Sequence, residues 1–231
     1  MARNYLFGEV ADFRCDIGAI RDFYESEIRS QPSKPYFDNG ANYVGWAITS
    51  RDGTIHDAIQ HIPLNIVATK PMATIAVQPT PLCKGPVKEA LDRLSEMGLK
   101  PFRVRVMALD DHGFEMKFHC DAKREGWRLH IPIATNPSAF FEWKIDEKII
   151  RRHLPADGRA WFVRVDKMHR AVNEGSGTGT RAHLLMSLQG TPAPSRFGAD
   201  SEMLPDAKTE ARSHQRWYRS IVSWRPGAKE Q

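Results

Sequence analysis

Cysteine is scarce in this chain: three residues in 231, Cys15, Cys83 and Cys120, scattered and odd in number. They build no disulfide framework, and such sparse thiols fit a reducing cytoplasm. No apolar run approaches the roughly 20 residues that a membrane-spanning helix needs. Met1 to Val10 hold no apolar stretch followed by a small-residue cleavage site, so no secretory signal is expected. Internal repeats and low-complexity tracts are missing too. There is also no block of like charge. The formal net charge is +5, but bases and acids are interleaved, and only Arg212 to Arg225 is locally basic with aromatics between. That stretch reads as a solvated helix with a few packed aromatics, so no nucleic-acid partner is expected. The expectation is a cytoplasmic protein with neither a nucleic-acid nor a membrane partner. The mild basic excess suits a small acidic ligand.

What is there is ordinary in bulk and informative in pattern. Hydrophobic residues make up 41% and charged residues 26%, as in a globular domain long enough for one sizeable core. Residues 16–30 place Ile17, Ile20, Phe23, Tyr24 and Ile28 at helical spacing, and Pro32 and Pro35 end that helix. Residues 42–49 read as a strand, and the proline-rich stretch 71–83 reads as loop. Pro86 suits the first turn of a helix that runs to Met97 and stops at Gly98.

From residue 101 the texture becomes β-rich. Short strands are predicted at 102–109, 114–119, 127–134, 139–145, 160–166, 168–172 and 181–188, separated by turn residues. This punctuation predicts an antiparallel sandwich or barrel. Residues 191–198 read as a linker and 206–224 as a helix ending before Pro226. The predicted organisation is a single domain over 1–190, with helices and strands in 1–100 and the β-core in 101–190. A linker and a C-terminal helical cap fill 191–231.

The chemistry centres on Phe118-His119-Cys120-Asp121. On a strand, residues two apart share a face, so His119 and Asp121 can offer an imidazole and a carboxylate to one ion. His169, 48 residues beyond Asp121, supplies a third donor. Two histidines and one carboxylate leave three positions open, the arrangement expected for non-haem iron(II). Zinc is the alternative for this donor set, but it usually keeps one open position.

After His169 comes a Gly-rich turn, Glu174 to Thr180, and then Arg181-Ala182-His183-Leu184. Read as a hairpin centred near Ser176, this places Arg181 opposite Ala171, about 7–8 Å diagonally from His169. A guanidinium there can hold a carboxylate of a metal-chelating acid. Arg128 and His130 share one strand face. An inward Arg128 would itself demand an anionic partner, whereas an outward Arg128 with a satisfied core His130 is the alternative.

Taken together, His119-x-Asp121, Arg128-Leu129-His130-Ile131-Pro132-Ile133, Thr135-Asn136-Pro137, His169-x-x-Val172-Asn173 and Arg181-x-His183-Leu184 resemble the aspartyl/asparaginyl β-hydroxylase family. Within it the pattern is most similar to the bacterial branch with the proline cis-hydroxylases, over residues 86–188. The turn before Arg181 is longer than in that family, and Ser187 stands where an acid is common. The resemblance implies a mainly β fold with flanking helices, its core a double-stranded β-helix of the jelly-roll or cupin-like kind. It implies iron(II), with 2-oxoglutarate and oxygen as co-substrates. His119, Asp121 and His169 would be the metal ligands. Arg181 would pair with the distal carboxylate of 2-oxoglutarate, with Arg128 and His130 near the metal-side one. The implied activity is hydroxylation of an amino acid or amino-acid-derived small molecule. The alternatives are a peptidyl Asp/Asn hydroxylase and a metal-binding jelly roll without turnover.

Overall fold

A computed structural model describes residues 5–35, 43–56, 76–109, 114–121, 126–174 and 179–204. The chain opens with β1 (Tyr5–Val10) and α1 (Ile17–Phe23), whose last turn continues as a π-helical turn over Tyr24–Ile28. Short strands β2 (Lys34–Pro35), β3 (Tyr43–Ala47), β4 (Thr49–Ser50) and β5 (Gln78–Pro79) lead to α2 (Gly85–Glu96). Then come β6 (Pro101–Leu109), β7 (Phe114–Glu115), β8 (Trp127–Ala134), β9 (Ala139–Ile145) and β10 (Lys148–Arg152). The series ends with β11 (Trp161–Arg164), β12 (His169–Asn173), β13 (Arg181–Leu188) and β14 (Phe197–Met203).

These strands form two principal antiparallel sheets. The large one runs β14-β1-β11-β8-β13-β6-β3-β2 and the small one β10-β9-β12-β7. From β6 to β13 the chain crosses between them at every step except the β9–β10 hairpin. That alternation is the winding of a double-stranded β-helix, the jelly-roll core expected from the sequence.

Helix α1 begins at Asp16, whose carboxylate accepts the Ala19 backbone N–H at 3.0 Å, satisfying one orphan donor of the first turn. It buries Ile20, and its π-helical extension buries Tyr24 and Ile28. In α2, Val87, Ala90, Leu91 and Leu94 recur at three- and four-residue spacing and form the buried stripe. Gly98, at φ +78°, lets the chain leave the helix. Both stripes pack on one face of the large sheet, against Val104, Val106 and Ala108 of β6, Leu129, Ile131 and Ile133 of β8, and Ala182, Leu184 and Met186 of β13.

These are alternate residues. Their neighbours along the same strands, Arg105 and Met107, Arg128 and His130, and Arg181, His183 and Leu185, therefore point to the other face, into the barrel. One side of the sheet is largely an apolar core, while the other holds buried Arg105, His130, Arg181 and His183. Buried polar groups are the informative departures from a hydrophobic interior, and on β6, β8 and β13 these four share the barrel-facing periodicity.

Apolar clusters flank this polar interior. Leu6, Phe7, Phe141, Trp143, Leu154, Trp161, Val163 and Val165 form one. Tyr43, Met107, Leu109, Met116, Ala171 and Leu185 form the other. Trp143 is fully buried, and its indole N–H donates to the Arg164 carbonyl at 2.7 Å. Near α1, Gly158 sits at φ +85° with Cys15 so close that an added Cβ would lie 2.4 Å from the Cys15 carbonyl oxygen.

Some expectations need correction. β14 begins inside the segment 191–198 that reads as linker: its pattern is half-exposed and polar, as befits an edge strand paired only to β1. Two further strands, β1 and β10, lack a clear alternation in sequence. The expected strand 114–119 is regular only at Phe114–Glu115, with His119 rejoining the sheet through a single bridge to His169. The helical tail expected at 206–224 lies outside the described residues, as do 71–75 of the expected proline-rich loop.

Candidate metal centre and anion pocket

His119 and His169 are fixed by a two-way backbone bridge: His119 N–H donates to the His169 carbonyl at 3.0 Å, and His169 N–H returns to His119 at 2.8 Å. Side chains of directly opposed residues lie side by side, and the two rings are 4.3 Å apart between centroids. Asp121 is held two residues further on, where its N–H donates to the Val165 carbonyl at 2.8 Å. The three donor atoms offered by His119, Asp121 and His169 all lie within 4.8 Å of one another. Among the described residues no other His/Cys/Asp/Glu group of this kind occurs.

The hydrogen bonds of the two imidazoles test whether this set suits a metal. His119 Nδ1 lies 3.0 Å from the Lys117 carbonyl, and His169 Nδ1 lies 2.8 Å from the Lys167 carbonyl. A carbonyl only accepts, so each Nδ1 carries its proton and each Nε2 presents a lone pair. This is how metal-ligating histidines are oriented by their outer partners. His169 is 2% exposed, and its pKa is pushed down to about 3, by burial first and by the neighbouring His119 second. It is therefore neutral at pH 7, the form that binds a metal. The donor set fits a divalent transition-metal ion.

The large sheet faces this triad with cations. In the register of β3, β6, β13 and β8, Tyr43, Leu109 and Arg181 form one row; Met107, His183 and Pro132 form the next; Arg105, Leu185 and His130 follow. Arg128 stands beside Ser187. Arg105, Arg128, His130, Arg181 and His183 line one pocket together with His119 and His169. Arg128 Nη2 reaches Asp121 Oδ2 at 2.6 Å. Phe141 lies between the two walls, stacked on His169 at 5.3 Å and edge-on to His130 at 5.6 Å.

Arg181 is 3% exposed, and among the described residues no carboxylate lies within ion-pairing distance of it. Burial pulls its pKa down from the ordinary arginine value. A buried guanidinium without an anion is costly, by several kcal/mol in real proteins.

The hairpin expected between His169 and Arg181 does not form. β12 pairs with β9 and β7, whereas β13 pairs with β6 and β8. Arg181 therefore stands on the sheet opposite His169, because β12 and β13 belong to different sheets. Asn136 links the end of β12 to the approach to β13: its side-chain amide donates to Asn173 Oδ1 at 2.9 Å and to the Gly179 carbonyl at 3.0 Å. The Asn136 and Asn173 motifs thus do structural work in placing Arg181.

Of the sequence-predicted residues, His119, Asp121 and His169 come together, and Arg128, His130 and Arg181 line the same pocket. Arg128 points inward, as the first of its two alternatives held. Sequence reasoning missed Arg105, and gave His183 and Phe141 no role. The alternation Arg103-x-Arg105-x-Met107 beside an apolar face was the available signal for Arg105.

No protein-family description matches the chain, and no curated protein does. Several solved structures are similar to it at low identity. An oxidoreductase of the 2OG-Fe(II) oxygenase family from Burkholderia pseudomallei is 12% identical, with 78% of this chain and 96% of that one covered, at a TM-score of 0.42. The non-haem alpha-ketoglutarate-dependent epimerase SnoN from nogalamycin biosynthesis is 13% identical, covering 99% and 88%, at 0.47. A Pseudomonas putida prolyl-4-hydroxylase is 11% identical, covering 80% and 94%, at 0.42.

Proposed function

We propose that this protein is an iron(II)- and 2-oxoglutarate-dependent oxygenase that hydroxylates an unactivated C–H bond of an amino acid or amino-acid-derived small molecule. One observation carries the reading: buried Arg181, with no acidic partner among the described residues, faces a two-histidine, one-carboxylate cluster across a closed barrel interior. An ion at the triad and an anion at Arg181 fit a small acid that chelates a metal at one end and offers a second carboxylate at the other.

In this reading His119, Asp121 and His169 hold the iron. Arg181 takes the distal carboxylate of 2-oxoglutarate, and Arg128 neutralises the metal-side one with His130 beside it. Met107, Met116, Ala171 and Leu185 supply apolar lining, keeping water from the pocket. When bound, the metal and co-substrate supply the oxidation: oxygen and 2-oxoglutarate yield succinate, carbon dioxide and a hydroxylated substrate. The chain's own part is to orient the acid, offset its charge and position one C–H bond.

The test is an anaerobic titration of the metal-free protein with iron(II) and 2-oxoglutarate, followed in the visible charge-transfer region. A band that needs both components, and is absent in Asp121→Ala, supports the site. No band in the wild-type protein counts against it. Succinate formation with a panel of amino acids then separates turnover from binding alone.

A further inference from the structure

Two buried histidines in the pocket are in direct contact. His130 and His183 are 5% and 3% exposed, and their Nδ1 atoms lie 3.2 Å apart. Among the described residues the Nε2 atom of each is buried and has no hydrogen-bond partner. Burial, reinforced by the nearby Arg181, keeps both well below the usual imidazole pKa, so both are neutral at pH 7. A neutral imidazole has one N–H and one lone pair. Two Nδ1 atoms in one hydrogen bond must therefore take opposite roles, and the rings must be opposite tautomers.

Arg181 decides the direction. Its Nη2 lies 3.5 Å from His183 Nδ1, and a guanidinium donates but never accepts. With that contact taken as a hydrogen bond, His183 Nδ1 carries the lone pair, which it also offers to His130. It follows that His130 is protonated on Nδ1 and bare on Nε2, and that His183 is bare on Nδ1 and protonated on Nε2.

We propose that His183 is the positioning residue of the anion pocket: by accepting from Arg181 and His130 through one nitrogen, it fixes His130 as an acceptor and offers its own Nε2–H as a donor beside the Arg181 guanidinium. The pocket is thereby polarised. A carboxylate at Arg181 meets a second, neutral donor in His183. Whatever sits against His130 Nε2 must bring a hydrogen, such as a hydroxyl, an ammonium group or a water, so a metal-side carboxylate reaches His130 only through such a group. Arg128 is left to neutralise any carboxylate on the metal side. The tautomers follow from the contacts and the neutrality of both rings, whereas the use of His183 as a donor to 2-oxoglutarate rests on the function proposed above.

The first experiment uses the metal-free wild-type protein with 15N-labelled histidine. Two-bond 1H–15N spectra distinguish the tautomers, and through-bond correlations assign the rings. His130 is expected to show a protonated Nδ1 and His183 a protonated Nε2; the reverse pattern overturns the proposal. Arg181→Met removes the donor that sets the direction and should let the pair populate both arrangements. An unchanged pattern in that variant also counts against it.

The second experiment measures 2-oxoglutarate binding by calorimetry with zinc(II) in place of iron. His183→Asn keeps an acceptor where Nδ1 was and loses the Nε2–H. It should keep the His130 tautomer and weaken binding about 10–100-fold, as for a lost hydrogen bond to a charged group. His183→Gln keeps a donor near Nε2 and releases His130, so the His130 signal should change while affinity falls less. Equal affinity for wild type and His183→Asn removes the donor role. If the wild-type protein itself takes no 2-oxoglutarate while the tautomers are as stated, the functional reading fails and the polarised pair stands.

Discussion

Arg128 Nη2 and Asp121 Oδ2 meet at 2.6 Å inside the barrel, so the one carboxylate of the triad is already paired with a cation from the opposite sheet. The pair brings Asp121 to 3.8 Å from His169 Nε2 and ties β8 to the segment that follows β7. Arg128 is therefore both a partner of a candidate ligand and a pocket cation.

The first prediction concerns that pair. Outer partners of metal ligands are typically worth about 10–100-fold in affinity, so Arg128→Met should weaken iron(II) binding by that order. Asp121→Asn, which removes a ligand, should weaken it further. Equilibrium dialysis with metal analysis reads both. Wild-type affinity in Arg128→Met would show that the pair does not orient Asp121.

A second prediction follows from buried Arg181. Replacing buried ion pairs by apolar side chains of similar volume is often neutral or stabilising, by about 1–4 kcal/mol, and an arginine with no carboxylate partner among the described residues has less Coulombic gain to lose. Arg181→Met should raise the denaturation midpoint of the metal-free protein while abolishing 2-oxoglutarate binding. Stability and ligand binding moving in opposite directions is the signature of a cation kept for its ligand. A loss of stability in the variant would assign Arg181 to the framework.

Away from the pocket, Glu142 is fully buried on the outer side of the small sheet. Arg151 Nε and Arg170 Nε each donate to it at 2.6 Å. The arginines have further partners in Glu174 and Glu115 and lie over Phe140 and Phe118. Breaking a buried pair by removing one partner costs about 3–5 kcal/mol, and partial exposure of Arg151 places the expectation for Glu142→Ala at the lower end. Urea unfolding would detect a loss that size, and a change within error would mean the network is solvated and replaceable.

The fourth prediction is a pH dependence. The Cys15 thiol donates to the Gly158 carbonyl at 3.3 Å, and burial pushes its pKa up from 9.0 to about 11. Because the thiolate is disfavoured in the folded state, the unfolded chain releases this proton first as pH rises. The contribution to stability is complete below pH 9 and is lost as pH climbs towards 11. Cys15 should resist alkylation at pH 8.5 in the native protein and react readily in urea, with mass spectrometry reading the site. Cys15→Ser should flatten the alkaline limb of the stability profile.

Much of the site could be read from local pattern. The two-residue spacing of His119 and Asp121, and of Arg128 and His130, puts each pair on one face wherever the strands lie. The β-rich texture from residue 101 and the amphipathic helices α1 and α2 were equally legible, because their periods are local. Edge strand β14 and the short strand β10 were not, since half-exposed strands lack a clear alternation. His183 stood in plain sight in Arg181-x-His183, but nothing in the sequence says that its Nδ1 meets that of His130.

The sequence by itself therefore determined the chemistry available: two imidazoles, a carboxylate and a set of arginines on strand faces of a mainly β chain. Only the tertiary structure decided how they face one another. It set His119 against His169 through a backbone bridge and carried Arg181 across the barrel to the opposite sheet. The reason is that strand pairing between distant segments depends on which sheet each crossing enters, and no period within a single strand encodes that choice.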